Sequence, residues 1–484
     1  MNKNTSISVT NSFFWRLFER IGAQGVTIVV SIILARLLGP SVYGEIALVT
    51  VIIAILQVFV DAGLGSSLIQ KKDADDLDFC SVFVFNIFAC TILYLSLFFL
   101  APLICSFFGY SDLVIVIRVL GITILISGIK NIQQAYVARN MLFKHFFFAT
   151  LTGTIIAAVV GIVMAYRGFG IWSLVVQLLT NTAIDTIILW LTIKWKPKLK
   201  FSFKKFASLL KYGWKLMLSS FLETIYNESY QLIIGKKFSA EDLAYFNQGK
   251  KLPNAFVSNI NASIDSIVFP VMSKSQDDTT QIKTIQRKVT GLSTYCVWPA
   301  LVGMFFCGDS LIRVLLGLAW IDSVFYLRVC CVCFLFYPLY TANLNALKAV
   351  GRSDLFFGLE IAKKIAGVLI ILCTIWFGLK IFAIGMIIEA FASLLVNTFF
   401  SKKIIGYSLF EQLKDLFPNL LINSVMGACV FIVGLVNNPS AFTLLKQIII
   451  GVLVYFTLSF ASKNKAYEYV AYYLKRVFGS KKTN

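Results

Sequence analysis

Apolar runs of about twenty residues, parted by short polar loops, follow one another along the whole chain. A helix needs about 20 apolar residues to cross the hydrocarbon core of a bilayer. Runs of that kind lie near 14–38, 44–66, 79–100, 113–137, 147–166 and 171–193. After a lysine-rich stretch a second series lies near 213–235, 245–272, 290–307, 324–348, 357–377, 380–401, 418–437 and 443–461. The pattern predicts an all-α integral membrane protein of about fourteen transmembrane helices. The first span becomes continuously apolar only near Ile21, after Arg16, Glu19 and Arg20, and no small-residue cleavage site follows. It is therefore expected to stay as the first helix rather than leave as a signal peptide.

The two series repeat each other. Trp15-Arg16 aligns with Trp214-Lys215, and Ile33-Leu34-Ala35-Arg36 with Ile233-Ile234-Gly235-Lys236. Gly168-Phe169-Gly170-Ile171-Trp172 is similar to Gly378-Leu379-Lys380-Ile381-Phe382. Each repeat holds six spans, so the halves run parallel, and paired repeats are the usual architecture of transporters with a site at the repeat interface. The expected organisation is an N-lobe over 1–193, a basic linker with an interfacial helix over 194–212, and a C-lobe over 213–401. Two further helices over 402–462 and a basic tail over 463–484 complete it. In the linker, Phe203, Phe206 and Leu210 fall on one helical face with lysines on the other, which suits the membrane surface.

Polar residues inside the spans form stripes. In the first span Arg16, Arg20, Gln24, Thr27 and Ser31 recur at helical steps, as do Lys215, Ser219, Glu223, Tyr226 and Tyr230 in the seventh. The eighth carries Asn247, Lys251, Asn254, Ser258, Asn261 and Asp265, with Lys250 beside Lys251. Asp61, Asp185, Lys363, Lys364 and Glu389 are further ionisable residues within spans. Such residues are costly in lipid and usually face a cavity or a partner. Lining of a shared cavity is favoured for the three stripes over their use as helix-packing glue. Pro253, Pro299 and Pro338 lie inside spans and should kink them.

Composition sharpens the picture. Of 484 residues 58% are hydrophobic and 14% charged, against about a quarter charged in soluble domains, and mean hydropathy is +0.80. The net charge of +20 raises nucleic acid as a partner, but the basic residues sit in short loops and no recognition module is present. Counted by alternate loops, 29 basic residues fall on the side of the termini and 7 on the other. That bias predicts both termini in the cytoplasm. The ten cysteines fall almost entirely in apolar spans; Cys330-Cys331-Val332-Cys333 reads as packing, and no metal site or cofactor is expected. Nothing resembles a catalytic constellation: His145 is the single histidine, no nucleotide-binding loop exists, and Asp73, Asp75 and Asp76 form a solvated charge run.

Residues 245–278, YFNQGKKLPNAFVSNINASIDSIVFPVMSKSQDD, closely resemble the eighth-span signature of the Wzx-type polysaccharide transporters. Residues 34–46, LARLLGPSVYGEI, resemble the first outer loop of that family, and Asp61-Ala62-Gly63-Leu64-Gly65 and GFGIWSL at 168–174 fit as well. The family belongs to the multidrug/oligosaccharidyl-lipid/polysaccharide exporter superfamily. The resemblance implies a V-shaped, two-lobed transporter with a central cationic cavity. It implies flipping of a polyprenyl-diphosphate-linked oligosaccharide to the outer leaflet of a bacterial cytoplasmic membrane. The substrate would be a repeat unit of O-antigen, capsule or exopolysaccharide, moved by alternating access. The basic position of the family signature falls on either Lys250 or Lys251, and the outer-loop glycine of the second repeat is replaced by Ala244.

A substrate of that kind needs cations for its diphosphate, which Arg16, Arg20, Lys215 and Lys250 or Lys251 can supply. It needs amides, hydroxyls and aromatic faces for sugars, for which Gln24, Tyr226, Tyr230, Asn254 and Asn261 are suited. A coupling ion would need a carboxylate; Glu223 is placed best, with Asp61 and Asp185 as alternatives. Expected partners are the lipid-linked oligosaccharide, membrane lipids, and a polysaccharide polymerase with other assembly proteins. The alternatives are a drug/cation antiporter of the same superfamily and a membrane enzyme of polysaccharide assembly.

Overall fold

The computed structural model describes the backbone of residues 3–61, 63–273, 275–276, 278–350, 353–464 and 466–469. Side chains at 3–21, 212, 262–263, 265–267, 269–270, 353–354 and 356–357 lie outside the description. The described chain is helical throughout, with no strand. In order the helices are α1 (Lys3–Asp61), α2 (Leu64–Gln70), α3 (Asp76–Phe108), α4 (Val114–Arg139), α5 (Phe143–Tyr166), α6 (Ile171–Thr192), α7 (Phe203–Lys237) and α8 (Ala240–Ser273). They continue as α9 (Thr279–Phe306), α10 (Gly308–Leu315), α11 (Ser323–Leu335), α12 (Tyr337–Ala349), α13 (Ser353–Thr374), α14 (Leu379–Ile405), α15 (Leu409–Val436) and α16 (Ala441–Ala461).

Among the described residues, ten segments are long and apolar enough to cross a membrane. The first, Gly22–Gln70, holds two of the expected spans, because α1 breaks at Gly39 (φ 74°, ψ 176°). Glycine accepts that positive φ, and Pro40, which lacks an N–H, suits the first turn of the helix that resumes. Three more long helices, α7, α8 and α13, are absent from the ten because they carry charge among their apolar residues. Together these account for fourteen passes. The tenth pass is jointed: α11 stops at Leu335 and α12 restarts with Pro338 in its first turn, as a proline inside the span predicts. Pro299 instead lies within the continuous α9.

The chain divides into two compact units, 1–244 and 245–484. The core of the first is built from Val30, Leu34 and Val49 of α1, Leu97 of α3, Ile117 and Ile124 of α4, and Leu174 and Val175 of α6. Helix α7 and the first residues of α8 belong to this unit, and backbone meets backbone on each of them. A methyl on Gly63 would sit 2.3 Å from the Gly213 carbonyl oxygen, and one on Gly44 would sit 1.7 Å from that of Ala240. Neither position can carry a side chain without moving a helix.

The linker differs from the expected separate interfacial helix. Helix α7 runs unbroken from Phe203 to Lys237, so the basic segment and the seventh span form one rod. No proline interrupts it, and Phe206 and Leu209 are buried with Leu64, Leu68, Phe79 and Phe83 rather than laid on a membrane surface. Phe203 is exposed. Trp195 stacks on Tyr136 (4.8 Å, 7°) and donates to Asp76 at 2.5 Å, which ties the linker to α3 and α4.

In the second unit, α15 and α16 are fastened to α9. Arg287 forks onto Asp415 (2.7 and 2.5 Å), whose carboxylate also accepts from Tyr407 at 2.8 Å. Tyr455 donates to the Tyr295 carbonyl at 2.6 Å. The outward faces of many helices are apolar, with Phe99 and Leu103 on α3, Phe399 on α14 and Phe460 on α16 all strongly exposed. A chain that folds in water rarely leaves so much apolar surface open; hydrocarbon is the solvent these faces fit.

Candidate functional site

The polar stripes stand as follows. The side chains of Arg16 and Arg20 lie outside the described residues. On α1 Gln24 is half-buried, and the Tyr43 hydroxyl donates to the Ser31 carbonyl at 3.0 Å, tying the two arms of the helix together across Gly39. On α7 Lys215, Ser219 and Glu223 are exposed, Tyr226 is half-buried and Tyr230 is buried. The stripe thus deepens toward the C-terminal end of the helix.

Helix α8 is seated in its own unit by aromatic contacts. Tyr245 meets Trp320 edge-on at 6.2 Å, and Phe246 meets Tyr326 at 6.0 Å. Those anchors fix the rotation of α8. They leave Lys250 and Lys251 both half-buried, Asn254 and Ser258 exposed, and Asn261 buried. Burial does not separate the two lysines. Asn261 is notable because neither its amide nitrogen nor its oxygen has a hydrogen-bond partner among the described residues. A buried amide left unpaired costs about 1–3 kcal/mol, which a stability role would not explain.

The first unit brings two of the predicted carboxylates together. A cavity of 820 Å³ is lined by residues of α1, α2, α4, α5, α6 and α7, and both Asp61 and Asp185 line it. Glu223 does not, although its helix neighbours Ser220 and Thr224 do. Asp185 accepts from Lys130 Nζ at 3.1 Å, and both side chains are largely buried (11% and 18% exposed). The Asn131 amide donates to Asp61 Oδ1 and to the Val60 carbonyl, each at 3.1 Å. Its second bond takes up a carbonyl at the end of α1 that has no helical partner of its own.

Lys130, Asn131 and Gln134 are site residues that the sequence reading missed. Their signal was present, since all lie in the C-terminal half of the fourth span, where four polar side chains in five residues (130–134) break an apolar run. Beyond the cavity, Arg139 closes this end of the unit. Its guanidinium donates to the carbonyls of Leu68, Lys71 (2.6 Å) and Lys72 (2.8 Å), so it caps α2.

The second unit holds a buried cluster of a different kind. Gln286 donates to Asn343 at 2.6 Å and to Ser401 at 3.5 Å, and Asn343 and Gln412 exchange bonds at 3.2 and 3.1 Å. Asn419 adds bonds to the Gly291 carbonyl (3.0 Å) and Thr294 (2.9 Å). These neutral groups join α9, α12, α14 and α15. Among the described residues no group of His, Cys, Asp and Glu side chains is arranged to hold a metal ion.

Comparison with known proteins adds to this geometry. The family model described as "Polysaccharide biosynthesis protein" matches residues 33–325. The succinoglycan biosynthesis transport protein ExoT of Rhizobium meliloti (strain 1021) is 22% identical over 313 residues, 65% of this chain and 63% of ExoT, so the match spans a little under two thirds of that relative. The lipopolysaccharide biosynthesis protein WzxC of Escherichia coli (strain K12) is 21% identical over 427 residues, 85% of this chain and 86% of WzxC. Among solved structures, the lipid II flippase MurJ in an inward closed conformation gives a TM-score of 0.73 at 17% identity, covering 95% of this chain and 98% of MurJ. At that identity the likeness is one of fold.

Proposed function

The chain belongs to the polysaccharide biosynthesis protein family, and from that membership we propose that it is a flippase that carries a polyprenyl-diphosphate-linked oligosaccharide from the inner to the outer leaflet of a bacterial cytoplasmic membrane. The observation that carries this reading is the contrast between α7 and α8 and the apolar spans around them. Both are long enough to cross, and both spend one face on lysines, amides and tyrosines. Such a face is costly in lipid, and it is suited to a head group that joins a diphosphate to sugars.

In this reading Arg16, Arg20, Lys215 and Lys250 or Lys251 hold the diphosphate. Gln24, Tyr226, Tyr230, Asn254 and Asn261 contact sugars, and the unpaired amide of Asn261 waits for such a partner. Lys130 already neutralises Asp185, which leaves Glu223 as first choice for a coupling carboxylate and Asp61 as second. An inside-negative potential also drives an anion outward, at about 2.3 kcal/mol per charge per 100 mV. Both termini and residues 194–212 lie on the cytoplasmic side. A polysaccharide polymerase and other assembly proteins would receive the product.

The test is genetic and chemical. A strain whose polysaccharide export depends on this chain should accumulate lipid-linked oligosaccharide on the cytoplasmic face when the chain is removed. Arg20→Ala and Lys251→Ala, at normal expression, should fail to restore export. Restoration by both would show that the stripes serve packing. Reporter fusions at Lys200 and Asn484 should behave as cytoplasmic and one near Asp322 as external; an external signal at Asn484 contradicts the topology.

A further inference from the structure

The cavity of the first unit lies at the end of the unit that carries Lys71, Lys72, Arg139 and the lysine-rich linker. Its volume of 820 Å³ falls within the roughly 300–1,000 Å³ of small-molecule sites. Resting on the flippase reading, we infer that this cavity is a sugar subsite, which takes uncharged glycosyl units of the substrate and turns away the diphosphate.

Charge decides against the diphosphate. Among the described lining residues the formal charges are Asp61, Asp185 and Lys130. The carboxylates outnumber the ammonium, and the ammonium is already held at 3.1 Å by Asp185. An anion entering here would meet Asp61 with no cation left to offset it. The remaining polar lining is neutral and comes from several helices: Ser66 on α2, Asn131 and Gln134 on α4, Thr150 on α5, Ser220 and Thr224 on α7. Amides and hydroxyls both donate and accept, as sugar hydroxyls do. Phe143 and Phe146 of α5 add aromatic surface for the apolar face of a pyranose ring.

The ion pair and the Asn131 bridge then act as a frame. Asn131 spends its amide on Asp61 and Val60, which fixes the wall that presents Gln134 one helical turn further on. Specificity would follow from the neutral groups, because a site built to hydrogen-bond a hydroxyl discriminates strongly against a ligand that lacks it. Gln134 on α4 and Ser220 on α7 are the residues that test this, since neither takes part in the ion pair.

The experiment measures binding of two probes to the full-length protein in lipid nanodiscs: undecaprenyl diphosphate, and the same lipid carrying one N-acetylhexosamine. The wild-type protein is expected to bind the glycosylated lipid at least tenfold more tightly. Gln134→Leu and Ser220→Val should each remove most of that difference and leave the affinity for bare undecaprenyl diphosphate unchanged. Equal wild-type affinity for the two probes overturns the inference. So does an unchanged preference in both variants, or an equal loss for both probes. A wild-type protein that binds neither probe overturns the flippase reading itself, and the subsite with it.

Discussion

Each unit holds a polar cluster, and the two clusters are built on opposite principles. In the first unit the cluster is charged and lines a cavity: Lys130 against Asp185, Asn131 against Asp61. In the second it is neutral and closed on itself: Gln286, Asn343, Ser401 and Gln412 bond mainly to one another. The repeat pairs the fourth span, with Asn131, and the tenth, with Asn343. Related helices thus carry an asparagine that holds a cavity wall in one unit and knits helices in the other. Amides in a closed network specify how helices pack, because every misplacement orphans several groups at once. Charges around an open volume do not stabilise in that way, since their desolvation offsets much of their attraction. Their placement is better explained by what enters the cavity.

The largest effect should come from splitting the ion pair. Lys130→Met leaves Asp185 buried and unpaired, and breaking a buried pair costs about 3–5 kcal/mol. The partial exposure of both groups lowers the expected loss to about 2 kcal/mol, seen as a fall in melting temperature in detergent. Adding Asp185→Leu to Lys130→Met should recover most of that stability without recovering polysaccharide export. Export restored along with stability would mean the cavity charges are structural after all.

Asn343→Leu comes next. It orphans groups on Gln286 and Gln412 and should cost about 1–3 kcal/mol. Export per folded molecule should stay near wild type, as measured after normalising for protein in the membrane. A selective loss of export at full stability would erase the distinction between the clusters.

The contrast was only partly legible in the sequence. Asp61 and Asp185 were identified singly, as ionisable residues in apolar runs. Nothing in a 3.6-residue period could show that they line one cavity, because the contacts that join them span 55 and 70 residues of chain. Lys130 and Asn131 were overlooked for a related reason: near the end of a span a lysine can snorkel to the surface, and the partner that holds it inside is remote in sequence. Local features fared better. The joint at Pro338 follows from proline chemistry, although Pro253 and Pro299, expected to act in the same way, lie inside helices that run on. The continuity of α7 through Gly213 was not legible, since a glycine in a helix is tolerated or disruptive according to what packs on it, and here that is the backbone at Gly63.

The smallest effect lies at the surface, outside both clusters, and serves as a control. Asp75 caps α3 and accepts from Lys205 and from the Asp78 backbone, and these bonds hold its carboxyl down to about 2. A depressed carboxylate stabilises the fold above its unfolded value of about 3.9, and that contribution is lost as pH falls through about 2. Because Asp75 is half-exposed, solvent screens most of the effect. Lys205→Met should therefore lower the melting temperature slightly at neutral pH and converge with the wild type as pH falls toward 2, which flattens the acid limb of the profile. A large change at neutral pH would give this exposed pair a weight that the account reserves for buried ones.

The central claim is that the chain moves lipid-linked sugar, and translocation in proteoliposomes tests it most directly. The purified chain would be reconstituted with a polyprenyl-diphosphate-linked oligosaccharide, and the fraction reachable by an external sugar-modifying enzyme followed over time under an imposed potential. The account predicts that the accessible fraction rises faster with the chain than in protein-free vesicles, that Arg20→Ala abolishes the rise, and that a cationic dye in the same vesicles is not moved. Dye transport with no movement of the lipid-linked oligosaccharide would contradict it.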